Sequence, residues 1–345
     1  MDRIALLNFG GIGDEILFSP VIDAVKKAYP TAHLTLILET RSQSIRDLLP
    51  QINNMIGIDL DKLSRPKLFG HLLKILKNGR FDAIISSGSS PFIALLLWAS
   101  GIPSRTGFDT GWLSRLCLTH PAPLNRHIYA GDMYFSLAQA FLNTSQGDAV
   151  PNLNVPVSNK LFQSQPKQRI LIHPGVSRMS VEKNILKAWP MTHWTELIRQ
   201  LPLRYPEAHI YLLGGPDDAE AIAGLEAARQ QLAPDIRQRV INLYGESKSF
   251  LDLAVIIAEG SVLISVDSAP LHLAIGLDTP VVAIFGPTDE VKLVPKTANA
   301  VVCTREDLAC RPCLWDVRQT SCDTPLCLDI PVELVLQNLT RVLRP

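Results

Sequence analysis

Short runs of leucine and β-branched residues alternate along this chain with stretches of helical periodicity, and they do so in two separate sets. In the first set, residues 3–9 (RIALLNF), 33–39 (HLTLILE) and 81–88 (FDAIISSG) read as strands, while 15–29 and 41–50 read as helices. Strands alternating with helices imply βαβ units around a parallel sheet. Between Pro151 and Gln168 the periodicity lapses into a stretch rich in Pro, Asn, Ser and Gln, the composition of a linker. The second set follows at once: residues 169–175, 209–215, 239–245, 261–267 and 280–287 read as strands, separated by helical stretches such as 194–201 and 251–258. The fold class is therefore α/β, with two Rossmann-like halves of similar size. Several strands end in Gly, Pro, Asp or His, and open α/β sheets bind ligands beyond the carboxyl ends of their strands. That predicts a site in a cleft between the halves.

At 345 residues, 47% of them hydrophobic, the chain can bury two cores. Its 33 basic and 33 acidic residues cancel, so the molecule as a whole lacks the electrostatic footprint for a nucleic-acid partner. The longest uncharged apolar stretch, residues 91–103, falls well short of the roughly 20 residues needed to span a bilayer. Asp14 and Glu15 arrive before the apolar region of a signal peptide could form, so a cytoplasmic location is expected. Residues 71–80 (HLLKILKNGR) are basic and amphipathic, which suits either a helix with a solvated lysine face or peripheral contact with an anionic leaflet.

The first strand runs into Gly10-Gly11-Ile12-Gly13-Asp14. This is two-thirds of a dinucleotide fingerprint, because Ile16 stands where a small residue should allow close packing. Glu39 lies later than the ribose-binding acid of such a fingerprint, and Asp14 puts negative charge where a pyrophosphate would sit, so a nicotinamide oxidoreductase is disfavoured. Two readings of Asp14 remain: a helix cap, or a carboxylate presented for chemistry.

In the second half, "HPGVSRMSVEKNILKAWP" places Gly175 in a turn after a strand and Lys187 at a strand-to-helix junction. A lysine there suits a diphosphate; the alternative is an exposed loop charge. "SVDSAPLHLA" gives a strand end at Asp267, then Ser268 and Ala269 at a helix N-terminus, where small side chains let a phosphate approach the amides. A nucleophile elbow at Ser268 is excluded because G-x-S-x-G is absent. His272 on that helix is either a supporting residue or an ordinary core histidine. "FGPTDE" closes the next strand with a turn at Gly286 and could bring Thr288 and Asp289 to the same place. Cys310, Cys313, Cys322 and Cys327 form C-x2-C-x8-C-x4-C, a spacing that can hold a structural zinc or thiol cluster, serve a redox role, or leave the thiols inert.

Together, "GGIGDEILFSP", "HPG…KAWP", "LLGGPDD", "SVDSAPLHLAIGLDTPVVAIFGPTDE" and "CRPC…C…CLDI" resemble glycosyltransferase family 9, the heptosyltransferases of lipopolysaccharide assembly, over nearly the whole chain. The resemblance implies a GT-B fold, with residues 1–155 as the acceptor-side domain and 168–328 as the nucleotide-sugar domain. It places residues 329–345 in a last helix that packs back toward the first domain. It implies an inverting transfer without a catalytic metal or cofactor, from a nucleotide-diphosphate sugar, ADP-heptose favoured, to a lipid-linked glycan at the inner membrane. Asp14 would be the general base. Gly13, Gly175, Lys187, Asp218, Asp267, Ser268, Ala269, His272 and Gly286 would bind the donor, with Asp218 reaching the ribose. Residues 86–92 (SSGSSPF) depart from the acidic or Gln-Gly stretch followed by a basic residue that the family tends to have. Arg105, Arg115 and Arg126 are the candidates to supply the missing charge, or else they serve surface salt bridges. The alternatives are a hexose donor with another acceptor, or a nucleotide-sugar-binding protein without transferase activity.

Overall fold

The computed structural model describes residues 1–155, 168–182, 184–297, 299–314, 322 and 325–343; most of the linker stretch lies outside these. The chain divides into two compact units, Met1–Leu153 and Asn154–Pro345. The first contains β1 (Arg3–Leu7), α1 (Ile12–Ala28), β2 (His33–Glu39), β3 (Asn54–Ile58), α2 (Arg65–Gly79), β4 (Ala83–Ser86), α3 (Pro91–Ala99), β5 (Ser104–Asp109), α4 (Trp112–Cys117), β6 (His120–Pro123) and α5 (Ala130–Leu142). The second contains β7 (Gln168–His173), α6 (Arg178–Glu182), α7 (Met191–Arg204), β8 (Ala208–Leu212), α8 (Ala219–Gln230), α9 (Pro234–Arg237), β9 (Val240–Asn242), α10 (Phe250–Ala258), β10 (Val262–Val266), α11 (Ala269–Gly276), β11 (Val281–Ile284), α12 (Glu290–Leu293), β12 (Ala300–Cys303) and α13 (Val332–Val342).

Each unit is built on a parallel six-stranded sheet, ordered β3-β2-β1-β4-β5-β6 in the first and β12-β11-β10-β7-β8-β9 in the second. Counted from its own first strand, each sheet has the same order, in which the chain reverses direction across the sheet between the first strand and the fourth. Those points are β1/β4 and β7/β10. A crevice opens at such a point because the connections leave it on opposite faces. Leu7 pairs with Ser86 in the first sheet and His173 with Ser265 in the second, so the residues just beyond them emerge side by side. No helix among the described residues is long and apolar enough to cross a membrane.

The central strands are mostly apolar, as burial on both faces requires, with Ser86, His173 and Ser265 as their buried polar residues. The strands that periodicity did not single out, β3, β5, β6 and β12, are short, and the first three mix polar residues, Gly or Pro into their sequence. β6 carries two prolines and lies at the sheet edge, where a missing N–H costs no ladder bond. The helix expected over 41–50 is a 3-10 helix, Thr40–Leu48.

Val332, Val335, Leu336, Leu339 and Val342 of α13 lie in the core of the second unit, and the helix packs on β11, β12 and α7. Its apolar face is taken up there.

α1 shows how the first unit accommodates two uncongenial residues. Pro20 lies inside this helix and cannot donate to the Ile16 carbonyl; the Ser19 hydroxyl does so instead, at 2.7 Å. Glu15 is fully buried among Ile16, Leu17 and Phe18. Burial pushes its carboxyl well above the usual range, the nearby Asn8 amide opposes this, and the charges of Asp14 and Glu39 add to it. A carboxyl with a raised folded pKa releases its proton first in the unfolded chain, so stability falls as pH rises from the unfolded value of about 4.3 toward the folded one. Glu15→Gln, neutral at every pH, should match the wild type near pH 4. It should gain on it by up to about 1.4 kcal/mol per pH unit above that, until the folded pKa is reached. Urea unfolding across this range checks the expectation, and a difference independent of pH would show that Glu15 is not held protonated.

Candidate functional site

At the first reversal point, the turn leaving β1 is shaped around Asp14. Asp14 is the third residue of α1, and its Oδ2 accepts the N–H of Gly11, the residue that caps the helix, at 2.9 Å. A β-carbon on Gly10 would lie 2.4 Å from the Asp14 Cβ, so only glycine admits the carboxylate in this position. The Ser42 hydroxyl holds the Gly10 carbonyl at 2.9 Å. The other carboxylate oxygen, Oδ1, accepts from the Tyr134 hydroxyl at 3.3 Å. Burial, together with the charges of Asp14 and Glu15, raises the Tyr134 pKa well above its usual value, which keeps the phenol a proton donor. Asp14 itself is half-buried. The cap reading is thus correct for one oxygen, and it leaves the second oxygen, oriented by a neutral donor, available for chemistry.

The strand pairing carries this turn to the neighbouring loop. Asn8, just after β1, accepts from the hydroxyl of Ser87, just after β4, and Arg126 donates to Ser89 at 3.2 Å. The other two arginines are committed elsewhere. Arg105 donates to the carbonyls of Cys117, Ile102 and Pro103, and Arg115 pairs with Asp109 at 2.7 Å. Arg126 is the one of the three placed at the serine loop.

At the second reversal point, Lys187 and Asp267 form an ion pair of 2.6 Å, with Asp267 4% exposed and Lys187 20%. Burial alone would raise the Asp267 pKa. The charges of Lys187 and His272, with hydrogen bonds from Lys187 and Thr288, outweigh it and hold the carboxyl below the usual range. Ser268 precedes α11 as its N-cap residue, but its hydroxyl turns back to the Val266 carbonyl at 3.3 Å and does not cap the helix, so it leaves the amide end next to Asp267 without the usual side-chain cap. Lys187 is positioned by its neighbour: Trp189 is 2% exposed, packs edge-on against Trp194 and donates from its indole to the Ile330 carbonyl at 3.0 Å.

Asp218 sits in a turn like that of Asp14. Its Oδ2 accepts the Gly215 N–H at 2.7 Å and lies 3.3 Å from His173 Nε2, and a β-carbon on Gly175 would fall 1.7 Å from its Oδ1. Asp218 is buried, and its carboxylate fills the space above Gly175. Gly13 belongs to the first unit, in the first turn of α1 beside Asp14. Gly286 is required for packing: its β-carbon would meet Leu328 at 2.4 Å, and its carbonyl accepts from Arg311 at 2.6 Å. Arg311 also reaches the Thr288 carbonyl and Glu290, tying the cysteine-bearing segment to the turn after β11.

Cys310, Cys313, Cys322 and Cys327 are free thiols lining one small cavity with Leu186 and Pro287. Burial, with the neighbouring thiols, raises the pKa of Cys313 and Cys327. Among the described residues no group of three or more His, Cys, Asp or Glu is arranged to hold a metal ion, so the zinc expectation is not supported.

Comparison with known proteins agrees with this architecture. The sequence profile of glycosyltransferase family 9 (heptosyltransferase) matches residues 69–322. Lipopolysaccharide heptosyltransferase 3 of Escherichia coli is 26% identical over 306 residues, which cover 84% of this chain and 85% of that protein. A family 9 glycosyltransferase from Veillonella parvula superposes with a TM-score of 0.74 at 21% identity, over 99% of this chain and 97% of that one. An E. coli heptosyltransferase solved with ADP-2-deoxy-2-fluoro heptose gives 0.71 at 19% identity, over 98% and 99%. The two sheets are those of a GT-B-like fold, and the chain belongs to glycosyltransferase family 9, the heptosyltransferases.

Proposed function

We propose that this glycosyltransferase moves a heptose from ADP-heptose to a lipid-linked, lipopolysaccharide-type acceptor with inversion at the anomeric carbon. The observation that carries the reading is the pairing of Lys187 with Asp267 beside the uncapped amide end of α11. Such an arrangement accepts a diphosphate: the helix amides and the ammonium both favour an anion, and the partner carboxylate keeps the lysine in place until one arrives. The heptosyltransferase solved with a fluorinated ADP-heptose supports the choice of donor.

On this reading the acceptor hydroxyl donates to Asp14 Oδ1 and loses its proton there as its oxygen attacks the anomeric carbon. The bond from that carbon to the diphosphate oxygen breaks, and Lys187 with the Ser268 and Ala269 amides stabilises the charge that develops on the leaving group. Asp267, relieved of part of its ion pair by the phosphate, faces the donor sugar, with His272 and Thr288 supporting it. The protein's part is to take the proton, hold the diphosphate and orient the sugar, through its own side chains and the α11 amides. Ser89 and Arg126 present a hydroxyl and a positive charge suited to a phosphorylated acceptor. The work is placed at the cytoplasmic face of the inner membrane, where a lipid-linked acceptor is held.

Asp14→Asn preserves the acceptor for the Gly11 N–H but cannot take a proton. Transfer of heptose should fall by about 10²–10⁴ while ADP-heptose binds as before; near-wild-type turnover would remove Asp14 as the base. Lys187→Met should weaken ADP-heptose binding by about 10- to 100-fold in calorimetry, the loss of one charge-assisted contact to phosphate. Unchanged affinity would separate the lysine from the donor and leave the pair with Asp267 as a structural feature.

A further inference from the structure

The helical layer α2–α3–α4 carries large apolar side chains on its outer side. α2 and α3 cover one face of the first sheet through Leu72, Leu76, Ile93, Leu96 and Leu97, and α4 packs alongside α3. On the side turned away from the sheet, α3 exposes Leu95 and Trp98, the latter by 57%, and α4 exposes Trp112 by 73% and Leu116 by 70%. Single exposed apolar residues need no explanation; two tryptophans and two leucines on adjacent helices form a patch that does.

The charge around the patch is one-sided. From Arg65 to Cys117 the chain has seven basic residues and two acidic ones, in a protein whose total charge is zero. α2 contributes four, Arg65, Lys67, Lys74 and Lys77, all exposed and with no acid on the helix. The two acids are already engaged: Asp82 accepts the backbone N–H groups of Asp2 and Arg3, and Asp109 pairs with Arg115. α2 and α3 are joined by an edge-on contact of Phe69 with Phe92, so the basic helix borders the apolar one.

We propose that this face docks the protein on an anionic lipid bilayer. Tryptophan suits the headgroup level, where its ring is buried and its N–H stays hydrated, and leucine enters the acyl boundary. The lysines of α2, on long stems, reach the negative surface. A protein partner would need acids to complement the rim and hydrogen bonds to complement the indoles; a bilayer supplies negative charge and apolar depth without fixed geometry. The inference gives a physical place to the lipid-linked acceptor of the proposed function, on which its biological purpose rests, but its test uses lipid alone.

Sedimentation of the full chain with vesicles of phosphatidylcholine containing phosphatidylglycerol should carry it into the pellet, and vesicles of phosphatidylcholine alone should carry much less. Trp98→Ser with Trp112→Ser should lower partitioning by about tenfold per ring. In an independent arm, Lys67→Gln, Lys74→Gln and Lys77→Gln should lower it by about fivefold per charge on anionic vesicles only. All five positions are exposed, and stabilisation by ADP-heptose in the same preparations should be unchanged. Loss of that stabilisation in the wild type would bring down the transferase reading and not this one. The docking proposal is overturned if the wild type stays in the supernatant with anionic vesicles, or if the tryptophan variant pellets as the wild type does. It is also overturned if the wild type is a dimer in free solution that the same substitutions dissociate, since the face would then be an interface between copies.

Discussion

A carboxylate resting on a glycine backbone sets the geometry at both reversal points. At Gly10 and at Gly175 the space that any other residue would fill with a β-carbon is occupied by Asp14 and by Asp218. Each aspartate accepts the N–H of a glycine three residues before it, which fixes its side-chain rotamer within the loop. Under the proposed function this lost rotamer freedom would matter for catalysis, because a base held in one orientation needs no reorganisation when its substrate arrives. The two turns share this construction but differ in what the second oxygen meets. Asp218 is enclosed by His173 and the Gly175 turn, whereas Asp14 Oδ1 meets a tyrosine hydroxyl in a half-buried setting. The first arrangement supports a loop and the second can also take a proton.

The electrostatics around these turns follow from how deeply each carboxyl is buried and what accompanies it. Asp267 is almost wholly buried yet stays ionised because Lys187, His272 and Thr288 compensate for the lost water. Breaking such a pair is costly, but making it contributes little net stability, since desolvation offsets most of the attraction. Its presence is therefore better explained by a ligand that exchanges for one partner than by stability. Glu15 is the opposite case. Burial raises its carboxyl well above the usual range against the opposing hydrogen bond from Asn8, and the charges of Asp14 and Glu39 add to the rise.

Periodicity made the fold legible wherever a strand is buried on both faces. β1, β2, β4, β7, β10 and β11 are continuous apolar runs bounded by turn residues, and all lie at or next to the sheet centres. The strands missed were mostly at the edges, where HPAP or SRTGFD does not have to be apolar. Single-residue readings divided on the same principle. Lys187, Asp267 and Asp14 stand out in the sequence because a charged residue beside a glycine or a strand end has few local explanations, and the structure pairs the first two and turns the third onto the Gly11 N–H. Tyr134 does not, because it meets Asp14 from a helix more than a hundred residues away, and no local pattern records that contact. The contact of His173 with Asp218 is of the same kind, made from β7 across some forty-five residues of sequence.

Whole-chain charge was the least informative of the sequence measures, for an electrostatic reason. Interactions between exposed charges are screened beyond roughly 8–10 Å at physiological ionic strength, so a partner senses the face it meets and not the molecular sum. A total of zero rules out a surface that is basic all round, yet here it contains a strongly basic stretch balanced elsewhere in the chain. The same locality sorts the three arginines near the serine loop. Arg115 is neutralised by Asp109 within one ion-pair distance, and Arg105 has its guanidinium engaged by three carbonyls of its own loop. Arg126 is anchored to a neutral hydroxyl at Ser89, a contact that leaves its charge uncompensated by that partner. A positive charge held by a serine beside the loop after β4 can meet an anion without first breaking an ion pair with that partner.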